Sequence, residues 1–560
     1  MDLQRTLLIG ALAIVGVLTL RQWNEDYNQV KPTTDIQVPT VTASQSGSDL
    51  PTLNKEPLIN STGTTQSSSG QHVSVKTDTL IVSIDTAGGD IVGLKLPKYP
   101  AWLPKEGEKA DPFHLLVDNP GCTGEQTCVY TAQSALVESD GPNGNNQRAV
   151  YNTSKTSYTL SNGQKQLVVD LKRTEGGVDI TKRFTFERGS YQFRVEYIVV
   201  NNGSTVWKDR FYAQLKRDGS EDPSRAMSNA PMNTYLGAAV HSKEKTYQKL
   251  PFDDFSKEKF DERVVGGYAA ILQHYFVSAW VPDKNVAHNY YTNQSKDGKY
   301  YFVGFYDNEL VANPGQTVKT GATLYAGPKL QDNLKSLAEG LELTVDYGIL
   351  WFLAQPLFIL LNWIHGIVGN WGWSIILLTV LVKAVFYPLN ATSFRSMAKM
   401  RKLGPKMQAL KEQHSDDRQK LSQSMMELYK KEKVNPMGGC LPILVQMPVF
   451  ISLYWVLLES VELRQAPWLG WIHDLSQMDP YFILPLIMGA SMFLQQQLNP
   501  TPPDPTQAKV MKLMPVIFTF FFLWFPSGLV LYWVTNNVLS IIQQYLITRK
   551  IEGEAQPKKA

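Results

Sequence analysis

Residues 7–20 form an apolar run interrupted only by Gly10, Gly16 and Thr19, with Arg5 before it and Arg21 after it. Such a run is membrane-directed. A cleaved signal peptide is the rival reading, but Leu18-Thr19-Leu20-Arg21 stand where a small-x-small cleavage site would have to follow. Residues 1–22 are therefore expected to be an N-terminal transmembrane anchor. Residues 23–76, rich in Ser, Thr, Gly, Pro and Gln, have little to bury and are expected to be a flexible linker.

From 77 to 330 the pattern changes to short β-branched and aromatic runs, such as 80–85, 166–171, 191–200, 300–306 and 317–325. Turn clusters such as Asn201-Asn202-Gly203 and Lys296-Asp297-Gly298 separate them. Many strands without alternating helices predict a large all-β sandwich domain. Cys122 and Cys128 fall in a Gly-rich turn of this domain, and both a disulfide and two free thiols remain open.

Beyond 331 the pattern is that of a polytopic α-helical membrane domain, 331–560. Apolar segments suited to spans occupy about 371–389, 440–458, 481–497, 510–525 and 529–547. An earlier apolar stretch, 347–368, carries Gln355, Asn362 and His365 on one helical face and is interrupted by Pro356. It is expected to lie at the outer surface as an interfacial helix. Charge supports that choice. The segment between the first two spans holds eleven basic residues, from Arg395 to Lys433, against the five acidic residues Glu412, Asp416, Asp417, Glu427 and Glu432, so it belongs on the cytoplasmic side. With the anchor running outward and the β domain external, only one span fits between that domain and the basic segment. The result is six passes with both termini cytoplasmic. Met397, Met400, Leu403, Met407 and Leu410, then Leu421, Met425 and Leu428, recur at helical spacing, which predicts a cytoplasmic helical hairpin over 392–433. Its charge reads either as a solvated topology signal or as a contact for ribosomal RNA or another partner.

The chain of 560 residues has 54 Lys plus Arg and 51 Asp plus Glu, a net charge of +3, which argues against a surface that coats DNA. Three cysteines give neither a disulfide-rich scaffold nor a zinc ribbon. Gly298-Lys299 lacks the glycine spacing of a phosphate-binding loop, and no His-Glu-x-x-His is present. No catalytic constellation, metal site or cofactor is expected.

Lys383 lies within the 371–389 segment, where a central lysine costs roughly 2.5–3.5 kcal/mol, so it either faces a wet cavity or snorkels to the cytoplasmic end. Thr379 shares its face. In the last span Tyr532, Asn536, Ser540 and Gln543 recur at steps of four, four and three, and Gln446 sits between Pro442 and Pro448. Polar groups so placed either glue helices together or line a hydrated groove, and stripe, lysine and glutamine together favour the groove.

Asn435-Pro436-Met437-Gly438-Gly439-Cys440-Leu441-Pro442, Gln446-Met447-Pro448, Trp471-Ile472-His473-Asp474-Leu475 and Phe525-Pro526-Ser527-Gly528-Leu529 resemble the YidC family of bacterial membrane protein insertases. The likeness is dense over 341–547, and the layout resembles the Gram-negative form. The resemblance implies a non-enzymatic insertase and chaperone of the bacterial inner membrane, acting alone or with the Sec translocon. In that family a cationic residue in the first core span sits in a hydrophilic groove open to cytoplasm and lipid and closed to the periplasm. Lys383 matches that position, where the family more often has arginine. Thr379 matches its threonine one turn earlier, and Tyr532 and Trp533 match its paired tyrosines. The implied partners are nascent membrane proteins, Sec components, the ribosome through the basic hairpin, and the lipid bilayer. The tail is short and only mildly basic, unlike relatives in which the tail itself attaches to ribosomes. A polytopic transporter is the alternative, although no repeated halves follow residue 349; a third reading is a membrane-tethered sensor whose β domain binds a ligand.

Overall fold

The computed structural model describes residues 71–104, 108–119, 127–137, 148–224, 234–414, 417–432, 434, 441–499 and 505–553. The expected anchor, most of the linker and Cys122 lie outside them, while Cys128 is disulfide-bonded.

Two sheets build the sandwich. The first has ten strands and runs from Asp261–Val265 at one edge, through Phe211–Asp218 and Val129–Leu136, to His72–Lys76 and Ser157–Thr159 at the other. His72–Lys76 falls where composition alone read linker, because its alternation of exposed and buried side chains is short and adjoins a Thr/Ser-rich stretch. The second sheet has eight strands centred on Phe276–Val281, Thr317–Pro328, Gln192–Asn201 and Val178–Glu187. Strict alternation in Val178–Glu187 and Gln192–Asn201 turns every second side chain inward, which fixes their register, since a slip of one residue would expose the whole buried set. Polar ties cross the core as well. The Trp280 indole N–H donates to the Gln214 carbonyl at 3.0 Å, and the fully buried Lys182 ammonium donates to the carbonyls of Gly88 (2.9 Å) and Ser134 (2.8 Å).

The helical part comprises α1 (Gln331–Leu337), α2 (Trp351–Val368), α3 (Trp371–Val385), α4 (Tyr387–Lys402), α5 (Gly404–Gln413), α6 (Arg418–Lys431), α7 (Leu441–Glu459), α8 (Ile483–Leu498), α9 (Pro505–Phe521) and α10 (Ser527–Gly553). Gly348–Val368 is the one unbroken helix among the described residues that is long and apolar enough, by length and composition, to cross a bilayer. Its inner face packs through Ala354, Leu357, Phe358, Leu361 and Ile364, while Trp351, Phe352, Ile359, Trp363 and Ile367 are exposed. Asn362 and His365 run along one border of that apolar face, an arrangement suited to the edge of a membrane.

The segment read as one span over 371–389 ends earlier, at Val385. The axis turns by 69° into α4, whose start carries Pro388. Proline is tolerated in a first helical turn but cannot continue the preceding ladder, which explains the break. α10 has 27 residues, about 40 Å at 1.5 Å per residue against a hydrocarbon core of about 30 Å, so it projects beyond the bilayer. There the Lys402 ammonium donates to the Ile551 carbonyl at 3.0 Å. α5 and α6 form the hairpin, closed by Leu403, Met407, Met425 and Val434 and by a Lys406–Glu432 ion pair of 2.6 Å. Asp417 caps α6 through the backbone N–H groups of Gln419 and Lys420.

Sandwich and bundle are joined at the outer end of α7. Val461 enters the sandwich core. His274 Nε2 meets the Leu458 carbonyl at 2.9 Å, and Lys329 and Glu459 form a buried pair at 4.0 Å. Lys249 pairs with Asp346, and Arg464 donates to the carbonyls of Pro100 (2.8 Å) and Ala101 (3.3 Å). Glu462, in the same loop, has its carboxyl pushed up to about 7 by burial, with Asp332 adding to the rise. Because the docked state holds this proton more tightly than an exposed glutamate would, its contribution is complete below the ordinary carboxylate value and is lost as pH rises through about 7. Docking measured by protease accessibility of 330–348 should therefore weaken between about pH 5 and about pH 8, and Glu462→Gln should reduce that dependence, the buried Lys329–Glu459 pair at the same joint carrying the rest. An unchanged slope in the variant would locate the titration elsewhere.

Candidate functional site: a polar seam around Lys383

α3 turns Ser374, Ile375, Leu378, Thr379, Val382 and Lys383 inward. Lys383 stands in the last turn of this helix, where the unpaired carbonyls favour a cation, and yet it points at the middle of α10 and not toward the helix end. The residue is 9% exposed, and its ammonium donates to Ser540 Oγ at 2.8 Å and reaches Gln446 Oε1 at 3.5 Å. The Gln446 amide donates in turn to Asn536 Oδ1, and Ser540 Oγ donates to the Asn536 carbonyl at 2.7 Å. Three helices, α3, α7 and α10, are thus tied through one cation. No carboxylate of the described residues forms an ion pair with it.

The other expected residues divide. Thr379 is buried, but its hydroxyl donates to the Ile375 carbonyl one turn back at 2.7 Å and makes no bond to Lys383. Tyr532 is buried beside Gln446, its hydroxyl outside hydrogen-bonding geometry. Trp533 turns away from the seam into an aromatic layer, with its ring centre 4.8 Å from that of Phe450 and 5.4 Å from that of Phe522. Gln543 extends the seam at the cytoplasmic end, where its amide donates to the Tyr387 carbonyl at 3.4 Å.

A second polar line on α10 escaped the sequence reading. Asn537 donates to Ser491 Oγ at 3.1 Å, and Gln544 donates to the Leu498 carbonyl (3.2 Å) and Asn499 Oδ1 (3.0 Å), all on or just after α8. The spacing of seven between Asn537 and Gln544 was a legible signal of a second face. Gly489 of α8 lies so close to α9 that an added Cβ would stand 1.9 Å from Thr519 Oγ1.

On the outer side the seam is closed. Ile472, Leu475, Phe525 and Leu529 are buried together, Ser527 N–H donates to the Gln477 carbonyl (2.7 Å), and Gly528 N–H donates to that of Leu475 (2.9 Å). Asp479, fully buried, accepts from the Trp471 indole (3.0 Å) and from the backbone N–H groups of Tyr481 (3.0 Å) and Leu484 (2.7 Å), pinning the loop to the start of α8.

A helical bundle crossed by a polar seam around one cation, with a β-sandwich docked at one end, defines a polytopic α-helical membrane protein that carries a large all-β domain. The chain belongs to the YidC family of membrane protein insertases. A family model described as the YidC periplasmic domain matches residues 72–360, and one described as 60Kd inner membrane protein matches 363–555. The chain is 52% identical over 592 residues, covering 100% of both chains, to the membrane protein insertase YidC of Ectopseudomonas mendocina. It is 53% identical over 587 residues to that of Pseudomonas aeruginosa strain LESB58, covering 99% of this chain and 100% of the other. A solved structure of an active YidC insertase covers 85% of this chain and 95% of its own, with 17% identity and a TM-score of 0.36. The protein is thus a membrane protein insertase of the inner membrane with a periplasmic β domain.

The two faces of α10 should respond differently. Gln544→Leu removes only bonds to α8 and should lower stability in detergent by about 0.6 kcal/mol per lost bond while insertion is retained. Thermal unfolding and an insertion assay on one preparation decide the matter; a strong insertion defect in a stable variant would make this face functional too.

Proposed function

We propose that insertion runs through the seam around Lys383 as a hydrated groove entered from the cytoplasm and from lipid. The observation that carries this reading is the buried Lys383, which has no carboxylate partner among the described residues. A charge in a low-dielectric site draws an opposite charge strongly, and an acidic stretch of a nascent chain supplies one. Its hydrogen bonds to Ser540 and Gln446 hold the ammonium until that exchange. The substrate's apolar segment then partitions into lipid, so the hydrophobic effect drives release and the chain itself needs no energy source. Asn536 and Ser540 solvate the passing polar segment, while Tyr532 forms the wall nearer the outer seal with Trp533 packed behind it in the aromatic layer.

In the same reading the chain crosses six times with both termini cytoplasmic, α2 lies at the periplasmic surface, and it serves as insertase and chaperone alone or beside the Sec translocon. Ribosomes delivering nascent chains meet the basic α5–α6 hairpin. Membrane-impermeant thiol reagents should label cysteines at Glu412 only from the cytoplasm and at Asn362 only from outside; the reverse at either site would overturn this topology.

Function should follow charge at residue 383. Lys383→Arg should be tolerated, although its planar fork redistributes the bonds to Ser540 and Gln446. Lys383→Glu should slow insertion of substrates with acidic translocated segments on the order of tenfold or more, because like charges then meet where screening is poor. Reconstituted insertion of paired substrates, with acidic or neutral translocated segments, measures this. Equal rates for both substrates with stable Lys383→Glu would remove the electrostatic step.

A further inference from the structure

Trp102 is the one exposed aromatic among the described residues of the sandwich, at 43% exposure; the other large apolar side chains exposed there are valines. It sits at the tip between strands Ile91–Pro100 and Pro112–Asp118, beyond a base fixed by the Ala101 N–H bond to the Asp111 carbonyl (2.8 Å) and by Tyr99 packed edge-on to Phe276 at 5.7 Å. The bundle holds this same tip from the other side. Arg464 donates to the carbonyls of Pro100 (2.8 Å) and Ala101 (3.3 Å), and Gln465 to that of Pro100 (3.2 Å).

Four residues after Arg464, Trp468 lies against Gly372 and edge-on to Trp373 (5.9 Å) at the outer end of α3. Chain of that length spans at most about 14 Å. Exposed aromatics also stand at helix ends elsewhere in the bundle: Trp373 (45%) at the start of α3, Tyr481 (66%) just before α8 and Trp524 (42%) just after α9. Tryptophan and tyrosine collect at membrane–water interfaces because the ring is apolar and its N–H or O–H stays hydrated.

We infer that Trp102 is a membrane-interface anchor: the sandwich rests this tip in the outer-leaflet headgroup region and extends the aromatic belt of the bundle. The tip then has two supports, the Arg464 clamp on one side and lipid on the other, and together they fix the inclination of the β domain over the bilayer. The inference is independent of the groove, since it concerns only the periplasmic face.

The test places a diazirine-bearing phenylalanine at residue 102 of the full-length chain in vesicles of phosphatidylethanolamine and phosphatidylglycerol. Tyr481 is the lipid-facing control, and Val168, 42% exposed on strand Gln166–Glu175, the water-facing one. After illumination, lipid adducts at 102 should reach within about threefold of those at 481 and exceed those at 168 by about tenfold. Adducts no higher than at 168 overturn the proposal, as do adducts to a second copy of the chain in place of lipid. As an independent measurement, brominated lipids should quench a component of wild-type tryptophan emission that Trp102→Phe lacks; identical quenching in both proteins also overturns it.

Discussion

An ammonium enclosed by three helices takes its hydrogen bonds from what those helices carry, and the packing of the bundle follows from that demand. Lys383 receives its partners from two other helices, Ser540 of α10 and Gln446 of α7. Hydrocarbon offers no substitute hydrogen bonds, so α3, α7 and α10 are held together around the charge at a separation set by its reach. The bonds are to neutral groups. They relieve the desolvation of the cation without cancelling its charge.

α10 makes this possible because it is polar on two sides. One side meets Lys383 and Gln446 through Ser540 and Asn536, and the other fastens α8 through Asn537 and Gln544. The α8–α9 hairpin is then drawn close at Gly489, and its outer surface, with Leu486, Phe493, Leu513, Val516 and Phe520, is left to lipid. Length adds to the asymmetry. α3 has 15 residues and α8 has 16, about 22–24 Å of helix, beside the about 40 Å of α10. Helices this short favour a locally thinner bilayer.

The outer loop after α7 joins sealing to docking. Its Ile472 and Leu475 close the bundle, its Asp479 starts α8, and its Val461, Glu462 and Arg464 seat the sandwich. One loop thus serves both the packing at this end of the bundle and the seat of the β domain.

The sequence alone determined that an all-β sandwich precedes a helical domain, because hydrophobic period and run length are local properties. The strand alternation of 178–187 and 192–201, the positions of α7 to α10, the hairpin residues Met407 and Met425, and the polar row on α10 could all be read in this way. Motif resemblance supplied the family for the same reason, since long runs of rare residues need no coordinates. Tertiary structure alone decided which polar groups meet. Thr379 satisfies itself within its helix, Trp533 joins an aromatic layer, and Lys383 bonds to Ser540 from 157 positions away. It also decided where α3 stops, that a lysine at 182 can be buried by two carbonyls, and how the sandwich is clamped to the bundle. Those facts rest on contacts between residues far apart in the chain, and periodicity fixes the face a side chain occupies without fixing the partner that the packed neighbour brings to it.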